Sequence, residues 1–228
     1  PAGPAGSAGI SAADILSNQL CTSGNFVSGF DHNGDLICSN VSGNSITSPN
    51  CSATGTGVDL QGCDLRNFDL KDANLREAIL IGADLERAEL NRADLSGAIL
   101  TDAILRRANL IDADLSDANL TGANLTGAGF TEADLSDANL TGADLSDAVL
   151  ISARLSGANF TLADFRFADL TDADLNQAIL RFADMSDADL ENATLSGAAI
   201  GGVIWNDTIC PDGSNSDSHI KGCEDHLR

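Results

Sequence analysis

Positive charge is scarce in this 228-residue chain: 12 Lys and Arg stand against 34 Asp and Glu, a formal net charge of −22. That balance excludes holding nucleic acid or an anionic membrane by charge, and it suits solubility, cations or basic partners. No apolar run approaches the ~20 residues of a membrane-spanning helix, and no signal peptide is visible. Because Pro1 opens the chain and Met185 is its only methionine, an upstream start and a removed signal peptide are expected. Tyr is absent and Trp occurs once, so Ala and Leu carry the apolar share. There is no glycine-rich phosphate loop. There is no Cys-x-x-Cys, and His32, His219 and His226 are scattered, which argues against zinc. No nucleophile stands beside a base. Pairs such as Asp112 with Asp114 imitate an acid–base couple, but equivalent aspartates recur all along the chain and suit a solvated surface. No catalysis and no cofactor are expected.

Six cysteines are present, Cys21, Cys38, Cys51, Cys63, Cys210 and Cys223. They gather at the two ends of a long Ala/Leu tract, where disulfides would staple irregular segments. Cys210 and Cys223 are natural partners at the C-terminal end. Of the three pairings open to the other four, Cys21 with Cys38 and Cys51 with Cys63 is preferred. Reduced thiols are the alternative.

Four segments follow. Residues 1–9, PAGPAGSAG, place Gly3, Gly6 and Gly9 at collagen spacing. They read as a stalk remnant, through which trimers would form, or as a flexible leader. Residues 10–57 read as a cap. Ser11 and Asp14 suit the start of a short helix running to about Leu20. Asn33-Gly34 between apolar runs then marks a β-hairpin. Asp31, Asn33 and Asp35 share the spacing of the first calcium-loop ligands. The glycine is one place early and no Glu stands at the twelfth position, so the hairpin is preferred. Residues 206–228 read as a disulfide-closed loop cap. In it Asp212 and Asp217 are weak cation candidates.

Residues 58–205 are the remaining segment, a repeat of five. Every fifth position from 60 to 205 is apolar, mostly Leu, and Ala stands two places before each from Ala73 through Ala198. A helix repeats every 3.6 residues and a strand every two, so a beat of five fits neither alone. The A-(D/N)-L-x-x pattern resembles the pentapeptide repeat family. The resemblance implies an all-β fold, a right-handed quadrilateral β-helix with twenty residues per square coil. About seven and a half coils at roughly 4.8 Å would give a rod of about 36 Å. Ala and Leu would point inward and the residue between them outward. Trp205 would be core or cap.

Three surface features bear on function. First, residues 58–107 carry ten acids and seven bases, whereas residues 108–205 carry sixteen acids and three bases. Some pentapeptide repeat proteins imitate DNA by charge and bind DNA gyrase, so the resemblance makes this an alternative. Uninterrupted coils and clustered cysteines fit it poorly. Second, Asn119 with Thr121, Asn139 with Thr141 and Asn159 with Thr161 are twenty residues apart and should stack. Regular Thr arrays resemble those of ice-binding solenoids, a further alternative. Third, apolar residues stand at outward positions: Ile79, Ile81, Ile99, Leu162, Ile179 and Phe182 on one face, Ile104 and Phe167 on the next. Self-association, lateral or end to end, is expected there. The leading expectation is an extracellular, non-enzymatic structural or adhesive rod, self-assembling into a fibre or stalk.

Overall fold

A computed structural model describes residues 55–218 and 222–226, together with three short strands earlier in the chain. The strands are β1 (Leu20–Cys21), β2 (Asn25–Phe30) and β3 (Leu36–Asn40). They form an antiparallel sheet in the order β1-β2-β3, and Phe30 pairs with Leu36 where β2 turns into β3. This pairing flanks the expected hairpin. The turn itself, with Asp31, Asn33 and Asp35, lies outside the described residues. Leu20, placed at the end of a helix by sequence, instead begins β1. The rest of that helix, the leader and Cys51 lie outside the described residues. Because β2 separates β1 from β3, Cys21 and Cys38 stand about two strand spacings apart, roughly 9.6 Å.

From residue 55 onward the chain is a four-sided coil. Each repeat is a two-residue turn followed by three extended residues. The middle extended residue forms a parallel bridge twenty residues on, from Asp59 with Ile79 to Asp189 with Ile209. Alternation along the extended segment turns Ala and Leu inward together, and both are buried from Ala73 to Leu195, with Ala198, Ile200 and Val203 only partly buried at the last coil. Phe130, Phe160 and Phe165 replace Leu in this core, and the last two meet edge to face at 5.0 Å.

Backbone groups are matched coil to coil. The amide of Leu75 donates to the carbonyl of Asp94 at 2.7 Å, and that of Glu77 to Ser96 at 2.8 Å. Asp94 donates back to Ala73 at 2.9 Å, and Ala78 closes its turn on Leu75 at 3.0 Å. One amide per repeat is left over, that of the first turn residue. The Asp or Asn two places earlier accepts it: Ser116 donates to Asp114 Oδ1 at 2.9 Å and Thr121 to Asn119 Oδ1 at 3.1 Å. Every Asp and Asn at this position between residues 59 and 189 does the same. The outward Asp/Asn is therefore a turn cap as well as a wet surface.

The second turn residue is left-handed throughout, with φ of 58° at Asp112 and 59° at Asp117. Gly, Asn and Asp tolerate this conformation best. No Val, Ile or Thr occupies it, although Ile81, Thr101, Ile111 and Thr121 stand freely one place earlier.

The coil overruns the bounds read from sequence. Gly55 and Gly57 already donate to Asn74 and Arg76. At the other end Ile209 still pairs with Asp189, and Cys210 occupies a Leu site, fully buried. The chain then turns back so that Asn215 pairs antiparallel with Ile209.

Candidate functional site

The coil displays four ladders of outward residues, one per side. Side 1 carries Asp59, Ile79, Ile99, Asn119, Asn139, Asn159, Ile179 and Ala199, bridged in that order. Side 2 includes Asp64, Asp84, Asp144, Asp164 and Asp184; side 3 includes Asp69, Glu89, Asp169 and Asp189; side 4 includes Asp94, Asp114, Asp134 and Asp174. Carboxylates thus line three sides, and side 1 has one, at its end. The corner after side 1 is equally bare. Between residues 81 and 202 its charged residues are Asp102 and Arg181.

Within this strip Asn119, Asn139 and Asn159 stack as expected. The hydroxyls of Thr121, Thr141 and Thr161 donate to the Oδ1 atoms of those asparagines at 2.6, 2.7 and 2.7 Å. Their protons are thereby turned inward, which leaves few donors for an ice lattice.

The apolar residues divide in two. Ile79 and Ile81 are half-buried, and Ile99, Ile104 and Ile179 are more open. Leu162, Phe167 and Phe182 are 62%, 59% and 61% exposed, on left-handed backbone with φ of 62°, 61° and 59°. A bulky side chain costs about 1–2 kcal/mol there, and burial offsets little of it. The Phe182 ring leans on the next coil, so that a Cβ added at Gly202 would lie 2.6 Å from its Cδ1. Ile111, Val149 and Ile204 are also exposed. The outward-position rule would have found them, since Ile111 is a first turn residue and Val149 and Ile204 are ladder residues.

Arginines tie the acidic sides together. Arg92 spans one coil to Asp72 at 2.7 Å, and Arg154 spans one to Asp134 at 2.9 Å; Arg166 pairs with Asp164 at 2.6 Å. The Arg92 hydrogen bond holds Asp72 below the usual carboxylate range. Burial pushes Asp134 up, but Ser136 and Arg154 outweigh it and hold that carboxyl low. Asp164 is likewise held low by Arg166, against the pull of burial. Asp174 is held low by Ser156, Asn176 and Thr194, again against burial. Arg181 has no ion pair among the described residues.

The aspartates that imitated an acid–base couple have other work. Asp112 is a left-handed turn residue, and Asp114 accepts the Ser116 amide and hydroxyl. Asp212 caps Ser214, and Asp217 accepts the Asp207 amide at 3.0 Å. The side chains of His32, His219 and His226 lie outside the described residues.

The C-terminal cap is built on the last side of the coil. Cys210 is bonded to Cys223, as expected, and both are fully buried. Thr208 stands where Ala should be. Its hydroxyl donates to the Met185 carbonyl at 2.7 Å, and its amide to Ser216 Oγ at 3.0 Å. Ser216 in turn donates to the Trp205 carbonyl. Gly222 lies on Trp205, whose Cβ and Cδ1 would both be 2.7 Å from an added Cβ. Trp205 is thus core beneath a cap. Cys63 is buried in an Ala site, and its expected pairing with Cys51 lies outside the described residues.

Comparison with known proteins follows the repeat. The family model for pentapeptide repeats matches eight copies over residues 56–92, 88–127, 128–166 and 163–204. HetL, a pentapeptide repeat protein involved in heterocyst differentiation regulation in the cyanobacterium Nostoc, is 36% identical over 70% of this chain and 86% of its own, with a TM-score of 0.33. A second Nostoc pentapeptide repeat protein is 45% identical over 39% of this chain and 70% of its own, with a TM-score of 0.36. QnrB1, a plasmid-mediated fluoroquinolone resistance protein, is 15% identical over 77% of this chain and 90% of its own, with a TM-score of 0.46. No curated protein matches. Pentapeptide repeat proteins form right-handed quadrilateral β-helices, and the five-residue beat, the twenty-residue ladder and the family match together place this chain in the pentapeptide repeat family.

Proposed function

We propose that the chain is a non-enzymatic structural rod that works through its outer sides, at the cell surface or outside the cell. The observation that carries this reading is the core. Ala and Leu of successive repeats are buried from Ala73 to Leu195, so the coil interior is packed side chain and its information is on the surface. The Cys210–Cys223 disulfide supports an oxidising compartment. Fractionation of the native source with immunogold electron microscopy tests the reading. Label on the cell surface, on rods or fibres, is expected. Label confined to the cytoplasm, with all cysteines reduced in non-reducing mass spectrometry, would overturn it.

A second reading rests on sides 2, 3 and 4. Their carboxylate ladders imitate the charge of duplex DNA, one per ~1.7 Å, and suit a basic DNA-binding partner such as gyrase. A supercoiling assay decides it: inhibition at micromolar protein supports this use, and unchanged supercoiling ends it.

A further inference from the structure

We infer that side 1 and the corner after it pair with the same surface of a second copy, the two rods running antiparallel about a two-fold axis level with Asn139 and Thr141. This deepens the reading of the chain as a structural rod and rests on it. Charge selects the surface. Two copies of a chain with net charge −22 repel through sides 2, 3 and 4 and meet at least cost through the side without carboxylate rows.

Symmetry selects the direction. Counted in coils from Asn139, the side 1 ladder reads nearly the same both ways: Asn119 and Asn159, then Ile99 and Ile179, then Ile79 and Ala199. A two-fold lying in the interface, across the rods, sets each residue opposite the one equally far on the other side of the centre. Ile99 of one copy then meets Ile179 of the other, twice. On the corner the same operation sets exposed Leu162 opposite Gly122, over which the Asp102 carboxylate leans, its Oδ1 2.5 Å from where a Cβ on Gly122 would stand. It also sets Arg181 opposite Thr101 and Phe182 opposite Asp102, so the two charges of the strip, Arg181 and Asp102, face each other one place apart across the corner. Each lacks an ion pair among the described residues. A two-fold along the rods would instead put this corner against the opposite one and leave both charges unmatched.

The size sets the strength. A side about 36 Å long and roughly 10 Å wide, three extended residues across, buries about 360 Å² per copy. That is the scale of a weak, transient contact. With one such side per rod, association stops at two. At the far corner the operation brings Asp137 against its own copy, and net charge opposes approach throughout. Salt therefore strengthens the pair by screening.

Sedimentation equilibrium of the full chain, from about 10 μM to about 1 mM in roughly 0.1 and 0.5 M salt, tests this. The mass-average is expected to climb toward two chains, with about tenfold tighter association in the higher salt. Arg181→Asp and Asp102→Arg should each abolish the climb, and the two exchanges together should restore it. A monomer under every condition, single variants that associate like the parent, or a double exchange without rescue would overturn the pairing. X-ray scattering on the same samples separates the two readings. A monomer with a rod cross-section removes the pair alone, whereas a shape without a rod removes both.

Discussion

At the residue scale two rules govern the surface, and both come from the turn. The second turn residue is left-handed, so β-branched side chains are excluded there while Gly, Asn and Asp are welcome. Asp112→Val should lower stability by about 1–2 kcal/mol, and Asp112→Gly should be close to neutral, as read by thermal melting. By the same rule Leu162→Asn and Phe182→Asn should raise the melting temperature while weakening association; if melting falls instead, those side chains are structural. The ladder Asp/Asn caps the first turn amide. Asp114→Ala should cost about 1 kcal/mol, and Asp114→Asn, which keeps the acceptor, should not. Protonation acts on a smaller set. Asp72, Asp134, Asp164 and Asp174 are held below their ordinary values in the folded chain. The folded state therefore binds fewer protons than the unfolded one in acid. Their stabilisation is complete above the unfolded carboxyl value of about 3.9 and is lost as pH falls through the lower folded values. Melting temperature should be flat above about pH 5 and should drop below about pH 4; no drop would show that these contacts contribute nothing.

At the scale of the element, the coil, each turn touches only its neighbours, so damage stays local. Leu135 lies in a column that is leucine from Leu75 to Leu195, and it is fully buried. Leu135→Ala should cost about 2–5 kcal/mol, with hydrogen exchange accelerating around residues 115–155 and little at the ends. Ala133 stands two places before it, also fully buried. Ala133→Leu should overpack the same level by about 1–3 kcal/mol. Sequence alone specified this element almost wholly. A period of five, with Ala and the large residue two apart, satisfies strand alternation only if two further residues turn the chain. That four such turns close a square is what the resemblance to the pentapeptide repeat family implied, and the bridges twenty residues apart bear it out. The cap sheet was legible in part: Asn33-Gly34 announced the β2–β3 pairing, but nothing in its short runs announced β1 in place of a helix end.

At the scale of the whole molecule the ends and the sides differ. The C-terminal end is closed by the Thr208–Ser216 hydrogen bonds, by Gly222 on Trp205 and by a disulfide with a sequence separation of 13. A loop of that length contributes about 3 kcal/mol in the chain-entropy view, all of it to the cap. Reduction should therefore release the cap and shift the fluorescence of Trp205, the single tryptophan, to the red while the coil stays folded by circular dichroism. Gly222→Ala should do the same more weakly, since φ is +60° there and Trp205 fills the space. An unchanged spectrum on reduction would mean that hydrogen bonds alone hold the cap. This closure also limits end-to-end growth at that end, because the cap already uses the amide and carbonyl of Thr208 and the amide of Cys210.

What the sequence determined by itself is the coil and its family: strict periodicity fixes which residues face inward, because a slip of one place would turn every Leu to water. It also named Cys210 with Cys223, and the exposed Leu162, Phe167 and Phe182. Only the tertiary structure decided what the outward residues do. The Asp/Asn caps and the inward-turned Thr hydroxyls join residues two places apart through the geometry of the turn, and the coil's continuation to Cys210 and the reach of Arg92 to Asp72 and of Arg154 to Asp134 join residues twenty places apart; a linear pattern displays neither. The uncharged side is the clearest case. Its ranks of Ile, Asn and Thr are legible at twenty-residue spacing, but that the ladder from Ile79 to Ala199 carries no carboxylate while the other three sides do is seen only when the coil is wound.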